Sequence, residues 1–159
     1  MPTEDAGLER ALAVAYRYLN RRECTKAEMR AQLSRTGSDP RDADGAVATL
    51  VEQGYLDDAR FGRLFVQDKR ELDQWGSDRI RRALIARGVD RDVVEDALGE
   101  DAADSEIGRA VALLRRRFPS PAGDRSERER ALGMLLRKGY DSELALDAIA
   151  AHAGHRDDA

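Results

Sequence analysis

The sequence predicts an all-α protein made of three tandem three-helix repeats that form an elongated, curved array. Three observations predict this fold class: a motif that recurs at a fixed spacing, a composition dominated by Ala, Leu, Arg, Asp and Glu, and the lack of long runs in which apolar and polar residues alternate. The first indicates a repeat protein, the second favours helices, and the third argues against strands. Each repeat would have a small core that gains stability by stacking on its neighbours.

The recurring motif is a helix stop followed by a helix start. A shift of 51 residues relates its leucines, glycines and aspartates in turn: Leu33, Leu84, Leu135; Gly37, Gly88, Gly139; Asp39, Asp90, Asp141. Three columns of the next helix stay apolar under the same shift: Ala43, Val94, Ala145; Ala46, Ala97, Ala148; Val47, Leu98, Ile149. Six columns in register over helical spacing indicate an internal repeat.

The second copy of the motif, in the stretch from Ile80 to Leu98, explains why these residue types recur. Gly88 is expected to end a helix because glycine enters the left-handed conformation without the cost of roughly 1–2 kcal/mol that other residues meet. Leu84 and Val89 then occupy the two positions that touch in a Schellman stop, and Asp90 caps the next helix. In the first copy Ser38 replaces the apolar residue, so that stop is expected to be the weakest.

Repeat 1 is predicted at residues 1–55. Apolar residues at three- and four-residue spacing predict its first helix over Leu8–Leu19. Thr25 and Glu28 form a capping box that starts the second helix. Asp39-Pro40 opens the third helix with a cap and a first-position proline, and Gly54 ends it.

Repeat 2, predicted at residues 56–101, follows the block Gly54-Tyr55-Leu56-Asp57-Asp58. Tyr55 and Leu56 are expected to be buried apolar plugs at the joint between units, and Asp57 or Asp58 to cap the next helix. Two adjacent carboxylates are also compatible with an acid–base or metal site, but a helix start explains them more simply. Four residues are expected on the inner face of that helix: Phe61, Leu64, Phe65 and Leu72. Ser77 or Asp78 is expected to cap the helix that carries Ile80.

Repeat 3 is predicted at residues 102–159, after a turn over Gly99–Asp104. Its long first helix is expected to face inward with Ile107, Ala110, Val111, Leu114 and Phe118. The loop Pro119–Gly123 follows, and Asp124 or Ser126 starts the second helix. Asp141 starts the last helix, which is expected to run to about His152.

The composition argues against catalysis. The two histidines, His152 and His155, lie near the C-terminus without a cysteine or a second ligand cluster, so no metal site is expected. No glycine-rich phosphate loop occurs, and a nucleophile–histidine pair would need one of these two residues. We therefore expect a protein that is not an enzyme, with no catalytic residue and no cofactor.

Charge, cysteine content and hydropathy indicate where the protein acts. The single cysteine, Cys24, cannot form an internal disulfide and suits a reducing compartment. No apolar stretch approaches membrane-spanning length, and the N-terminus lacks the layout of a signal peptide. We expect a cytoplasmic monomer without membrane contact. The formal net charge of −4 does not favour strong nonspecific electrostatic binding to nucleic acid.

Charge also differs between the helices of each repeat. The middle helices are basic: Arg30 and Arg35; Arg79, Arg81, Arg82 and Arg87; Arg125, Arg128, Arg130, Arg137 and Lys138. The third helices begin with carboxylates: Asp39, Asp42 and Asp44; Asp90, Asp92, Glu95 and Asp96; Asp141, Glu143 and Asp147. Arg115–Arg117 adds a basic end to the long helix of repeat 3. Either these are solvated faces that complement the helix dipoles, or the basic helices grip an acidic partner.

Three helices with a glycine turn before the third also resemble a DNA-reading helix-turn-helix. In that motif the third helix enters the major groove, where its first turns lie close to phosphates. Here those turns carry two or three carboxylates in every repeat, which would be repelled by phosphate charge. Base-specific readout is therefore disfavoured, whereas weak, salt-sensitive DNA contact through the arginines stays open.

The chain resembles the RecX family of regulatory proteins. The resemblance is carried by Gly54–Asp58 followed by Arg60-Phe61, by Gly76–Ile80 with Leu84 and Gly88, and by Leu136–Tyr140. It spans about Leu8 to His152, and the first of these blocks is fairly specific. The fold that the resemblance implies, three tandem three-helix repeats, agrees with the repeat count.

The resemblance implies a regulator without enzymatic activity of its own. Proteins of this family bind the RecA recombinase and its filament on single-stranded DNA, and lower its ATPase, strand-exchange and co-protease activities in DNA repair, homologous recombination and the SOS response. We expect the partner contacts at Arg81, Arg82, Arg115, Arg116 and Arg117. Two alternatives remain: a helix-turn-helix-like DNA-binding protein, and an adaptor for an unrelated protein.

Overall fold

The structure, a computed structural model, describes residues 4–99, 103–120 and 123–154, which form nine α-helices and no strand. The helices are α1 (Glu4–Leu19), α2 (Lys26–Arg35), α3 (Pro40–Glu52), α4 (Asp58–Glu71), α5 (Ser77–Ala86), α6 (Arg91–Leu98), α7 (Ala103–Arg117), α8 (Arg125–Lys138) and α9 (Ser142–Gly154). The predicted all-α class is confirmed. In this described part of the chain, no helix is both long and apolar enough to span a membrane.

The chain divides into two compact units. Unit 1 comprises Met1–Leu64 and Leu84–Ala97, and unit 2 comprises Phe65–Ala83 and Leu98–Ala159. The boundaries proposed for the three repeats stay a prediction.

Unit 1 is built around a core in which α1, α2 and α3 pack against one another. Its buried residues are Ala11, Ala15, Cys24, Met29, Leu33, Ala43, Ala46, Val47, Leu50 and Leu56. This core combines small alanines with larger Met, Leu and Val side chains. Leu84, Val89 and Val94 are also buried in this unit.

Unit 2 has a second core in which α9 packs against both α7 and α8. The buried residues of this core are Ala110, Leu113, Leu114, Ala131, Leu135, Tyr140, Ala145 and Ala148. His152 is buried as well, and its Nε2 lies 3.0 Å from the carbonyl oxygen of Phe118, which follows the end of α7. This contact could not be predicted from local sequence, because it depends on how α9 packs on α7.

Helix starts follow the predicted chemistry at several places. The Thr25–Glu28 capping box is confirmed, with reciprocal side chain-to-backbone hydrogen bonds at the start of α2. Pro40 lies in the first turn of α3 behind its cap Asp39, as predicted. Asp124, rather than Ser126, caps α8 and accepts from the N–H of Glu127 over 2.8 Å.

The inner face predicted for α4 is partly wrong. Leu64 is 45% exposed because the buried side of α4 runs through positions 58, 62 and 66, and Leu64 lies well around the helix from that line. Leu72 is 73% exposed, since α4 already ends at Glu71 and the helical spacing no longer applies. Val66 is buried instead.

Three smaller predictions also differ from the structure. Tyr55, expected to be buried, is 59% exposed, whereas Leu56 is buried. The start of α5 is also different, because the N–H of Ile80 bonds to the carbonyl of Gly76 and Ser77 and Asp78 lie inside the first turn. α1 begins at Glu4 rather than Leu8.

Some predictions fall outside the described residues. These are residues 100–102 of the turn predicted over Gly99–Asp104, residues 121–122 of the loop Pro119–Gly123, and His155.

Candidate partner-binding surfaces

The three copies of the repeated motif have the same local geometry. The leucines are fully buried: Leu33, Leu84 and Leu135. The glycines all have left-handed backbone angles: Gly37 at φ +90°, Gly88 at +86° and Gly139 at +99°. After each glycine, the next N–H bonds back to the carbonyl of that leucine, over 3.0–3.1 Å. These are Schellman stops, and they fix the direction of the chain that enters the next helix.

The aspartates of the motif lie at the starts of α3, α6 and α9. A carboxylate oxygen of Asp39 accepts from the N–H of Arg41 over 2.9 Å, and one of Asp141 accepts from Leu144 over 3.3 Å. Asp90 holds the same position before α6, where its backbone carbonyl accepts from Val94. The residues of the motif therefore stabilise the end of one helix and the start of the next.

The two adjacent aspartates at the start of α4 cap two different helices. Oδ1 of Asp57 accepts from the N–H of Arg60 over 3.0 Å, which caps α4 itself. Asp58 is 8% exposed, and its Oδ1 accepts from the N–H of Lys26, the first residue of α2, over 3.0 Å. Arg60 also donates to the carbonyl of Gly54 over 3.1 Å. The helix-start interpretation accounts for both carboxylates.

Arg87, expected on a basic face, is part of an internal cluster in unit 1. Its guanidinium donates to both carboxylate oxygens of Glu28 over 2.9–3.3 Å and lies 4.6 Å from the ring centre of Phe61. Its carbonyl accepts from the Thr25 hydroxyl over 2.7 Å. Burial would raise the pKa of the Glu28 carboxyl, but the hydrogen bonds from Arg87 and Thr25 outweigh it and hold this pKa below 4.5. Arg87 therefore stabilises the fold.

Two further cations of the predicted basic faces are engaged within unit 2. The Arg79 guanidinium lies 4.0 Å from the ring centre of Trp75 and donates to the carbonyl of Arg137. Lys138 donates to the carbonyl of Asp73 over 2.8 Å. The sequence could not show these contacts, because each joins residues from separate helices or loops.

Arg81 and Arg82 line an open cleft of about 460 Å³ in unit 2, here called the Arg81 cleft. Its lining residues are Asp78, Arg81, Arg82, Leu136, Gly139, Tyr140, Asp141 and Ser142. Asp78 pairs with Arg81 over 3.0 Å. Arg82 is exposed and donates through Nε to the carbonyl of Asp78 over 3.3 Å. Leu136, 42% exposed, adds an apolar surface that the sequence analysis did not single out.

Arg115, Arg116 and Arg117 form the last turn of α7 and are all exposed. Cations at a helix C-terminus are favoured by the helix dipole, so this placement is stable without a partner. Among the described residues, none accepts a hydrogen bond from these three guanidinium groups. They are available to an anionic surface.

The carboxylates that open the third helices are also largely exposed. Asp90, Asp92, Glu95 and Asp96 are exposed at α6, and Asp141, Glu143 and Asp147 are exposed at α9. These are the turns that a helix-turn-helix would bring to the phosphates, so their charge opposes that mode of DNA binding.

The chain is similar to known regulatory proteins over nearly its whole length. Residues 57–98 match the family model described as "RecX, second three-helix domain". The chain is 37% identical over 153 residues to "Regulatory protein RecX" of Halorhodospira halophila, covering 95% of this chain and 93% of that protein. It is 34% identical over 163 residues to the protein of that name from Mycobacterium ulcerans, covering 98% and 92%.

Solved structures share the fold. The crystal structure of RecX from Lactobacillus salivarius matches with a TM-score of 0.81 at 19% identity, covering 92% of this chain and 96% of that one. A second crystal structure, of a regulatory protein RecX, matches with a TM-score of 0.73 at 20% identity, over 88% and 70% of the two chains. At 19–20% identity, these two structures are evidence for the fold alone. The family is established by the sequence relatives: the chain belongs to the RecX family of regulatory proteins.

Proposed function

We propose that this protein binds the RecA recombinase and its filament on single-stranded DNA, and mainly inhibits the recombinase, ATPase and co-protease activities of RecA in DNA repair. The observation that carries this proposal is the 37% identity, over 95% of the chain, to a protein named as a RecX regulator. Such a regulator acts in the cytoplasm and acts by binding rather than by catalysis. The family's second three-helix domain, matched at residues 57–98, supports the proposed division into repeats at 1–55, 56–101 and 102–159.

Inhibition by binding requires a difference in affinity. A ligand shifts an assembly equilibrium only as far as it prefers one state over the other. If the protein binds the inactive or disassembling arrangement of RecA more tightly, ATP hydrolysis by the filament falls without any chemistry on the regulator. We assign the contacts to Arg81 and Arg82 of the Arg81 cleft and to Arg115–Arg117.

The test is ATP hydrolysis by RecA filaments on circular single-stranded DNA, titrated with the protein. We expect the rate to fall at or below one protein per RecA monomer. No effect at large excess would contradict the proposal. Sequence-selective retention of duplex DNA at physiological salt, in the absence of RecA, would instead support the helix-turn-helix alternative.

Charge-matched variants test the assigned contacts. Replacing Arg115–Arg117 with three alanines removes three exposed cations, and so does replacing Arg125, Arg128 and Arg130 on α8, which are exposed as well. We expect the first variant to need several-fold more protein for half-inhibition and the second to behave like the parent. Equal losses would mean that net charge, rather than this surface, governs binding.

A further inference from the structure

A second open cleft lies in unit 1, beside the first copy of the repeated turn. Its volume is about 420 Å³, and α1 lines one side of it with Arg10, Ala13, Val14 and Arg17. The opposite side is the turn between α2 and α3, including Gly37, Ser38 and Asp39. We call it the Arg10 cleft.

The Arg10 cleft shares its turn with the Arg81 cleft. Gly139-Tyr140-Asp141 lines the Arg81 cleft, and a shift of 102 residues, two repeat lengths of 51, relates it to Gly37-Ser38-Asp39. In each cleft a pair of arginines from another helix faces this turn. The arginines come from α1 in one unit and from α5 in the other. The turn therefore belongs to the repeated motif, whereas the arginines do not.

On the α1 side of the Arg10 cleft, the hydrogen-bonding groups left over are donors. Arg10 and Arg17 are exposed and lie two turns apart on α1, and no described residue accepts from either guanidinium. Two carboxylates line the opposite side: an oxygen of Asp39 accepts from the N–H of Arg41, and the carboxylate of Asp42 lies beside Gly7. A ligand that supplies acceptors therefore complements the two arginines of α1, provided that its charge lies on their side of the cleft.

The same surroundings argue for isolated carboxylates rather than a nucleic-acid backbone. A continuous phosphate chain across this cleft would also pass Asp39, Asp42 and Asp44 at the start of α3, and it would be repelled there. A peptide segment can place one or two acidic side chains between the arginines and an apolar one on Val14, which is half-buried between them. The cleft is large enough for a few side chains.

We propose that the Arg10 cleft is a second docking site for the protein partner and that it takes an acidic peptide segment. This assignment rests on the proposed function, since the partner segment is one on the surface of RecA. It adds to that proposal a contact surface in unit 1, whereas the arginines assigned above all lie in unit 2.

The first test is co-sedimentation with RecA filaments assembled on poly(dT). The variant Arg10→Ala/Arg17→Ala should bind roughly 5- to 20-fold more weakly than the parent, as expected for loss of two interfacial arginines. The control Arg21→Ala/Arg63→Ala removes the same charge from exposed positions in unit 1 outside the cleft, and should bind within twofold of the parent. Circular dichroism of both variants checks that they are folded.

Each outcome separates the two proposals. If the parent binds and the cleft variant binds as well as the control, the Arg10 cleft is not a docking site and the proposed function stands. If the parent itself does not bind RecA filaments, the proposed function fails and this assignment fails with it. If the variant loses binding to bare poly(dT) by the same factor, the cleft grips nucleic acid and the acidic-peptide assignment is wrong.

Photocross-linking provides a test that is independent of charge. Cys24 is buried, and burial, aided by the charge of Glu28, raises the pKa of its thiol to about 11, so an added exposed cysteine reacts with maleimide first. Ala13→Cys places a benzophenone maleimide in the cleft, and Ala48→Cys places it on an exposed position of α3 outside the cleft. Cross-linking to RecA from position 13 but not from 48 supports the assignment. Equal yields at both positions contradict it.

Discussion

The backbone N–H of Gly76 donates a hydrogen bond to the carbonyl oxygen of Lys138 over 2.8 Å. Nearby, Asp78 donates to the carbonyl of Gly139 over 3.0 Å, and the Tyr140 hydroxyl donates to the carbonyl of Gln74 over 3.0 Å. Within unit 2, these bonds join the loop before α5 to the helix stop after α8. Two backbones that approach this closely leave no space for a side chain between them.

Gly76→Ala should therefore destabilise the protein. An ideal Cβ at Gly76 would lie 2.5 Å from the carbonyl carbon and oxygen of Gly139, so one backbone segment must move. We expect a loss of about 1–3 kcal/mol in the free energy of unfolding, measured by urea denaturation. Gly108→Ala is the control, because this exposed position in α7 has open space around it and alanine favours helix. Equal urea midpoints for the two variants would contradict the close approach.

Gly88→Ala should cost more than Gly37→Ala, although both glycines hold the same place in the repeat. Their φ angles, +86° and +90°, are nearly equal, so the backbone strain of roughly 1–2 kcal/mol is shared. A Cβ at Gly88 would also collide with the Cβ of Ala27, whereas one at Gly37 meets nothing within 4 Å. We expect an extra loss of about 1–3 kcal/mol at Gly88.

The two alanine variants are compared by urea denaturation. Both the midpoint and the slope m, the change in the free energy of unfolding per unit of urea concentration, are measured. A difference in midpoint at constant m reports stability alone. If both substitutions shift the midpoint equally, the contact between Gly88 and Ala27 does not limit the site. The double variant Gly88→Ala/Ala27→Gly removes the Cβ of Ala27. If the contact limits the site, this variant should recover part of the stability lost in Gly88→Ala, and if it does not, the variant should recover none.

The sequence was sufficient to predict features that depend on a few neighbouring residues. The Thr25–Glu28 capping box, the Asp39-Pro40 start and the all-α class were correct because helix starts and stops depend on local backbone chemistry. Contacts between residues far apart in the sequence could not be predicted in this way. Asp58 bonds to Lys26, 32 residues earlier, and Arg87 bonds to Glu28, 59 residues earlier. No spacing rule connects such pairs, because only packing brings them together.

Exposure was predicted least well for single apolar or aromatic residues. Leu64 and Tyr55 are exposed, and nothing in the sequence marks Leu136 as a surface residue of a cleft. Apolar residues on the surface are common, so composition alone does not indicate burial. The Arg10 cleft was missed for a related reason: it depends on the packing of α1 against the turn after α2.

Asp58→Ala should destabilise the protein more than Asp57→Ala. Asp58 is buried and caps α2 from another helix, so its loss leaves the N–H of Lys26 without its acceptor. Asp57 is exposed, and water can replace its bond to Arg60. We expect losses of about 2 kcal/mol and about 1 kcal/mol, respectively, by thermal or urea unfolding.

Asp58→Asn serves as the matched control, because the amide oxygen can still accept from Lys26 while the charge is removed. It should retain most of the stability lost in Asp58→Ala. Equal losses in the two variants would mean that the charge of Asp58, rather than its hydrogen bond, holds α2 in place.

Glu28→Gln should lower stability at neutral pH and much less in acid. The hydrogen bonds from Arg87 and Thr25 outweigh burial and lower the pKa of Glu28 in the folded protein below 4.5. A carboxyl with a depressed folded pKa stabilises the protein fully above its unfolded pKa, and this stabilisation is lost as pH falls through the folded value. We expect a difference of about 1–2 kcal/mol between parent and variant at pH 7, shrinking steadily below about pH 4.5.

Urea unfolding of both proteins between pH 7 and pH 3 measures this difference. Glu129→Gln is the control at pH 7, since Glu129 forms only an exposed surface pair with Arg125 and should change stability by less than about 0.5 kcal/mol. A gap between parent and Glu28→Gln that stays constant down to pH 3 would show that the amide is misplaced for steric reasons. A gap that closes in acid ties the stability of unit 1 to the charge of the Glu28–Arg87 pair.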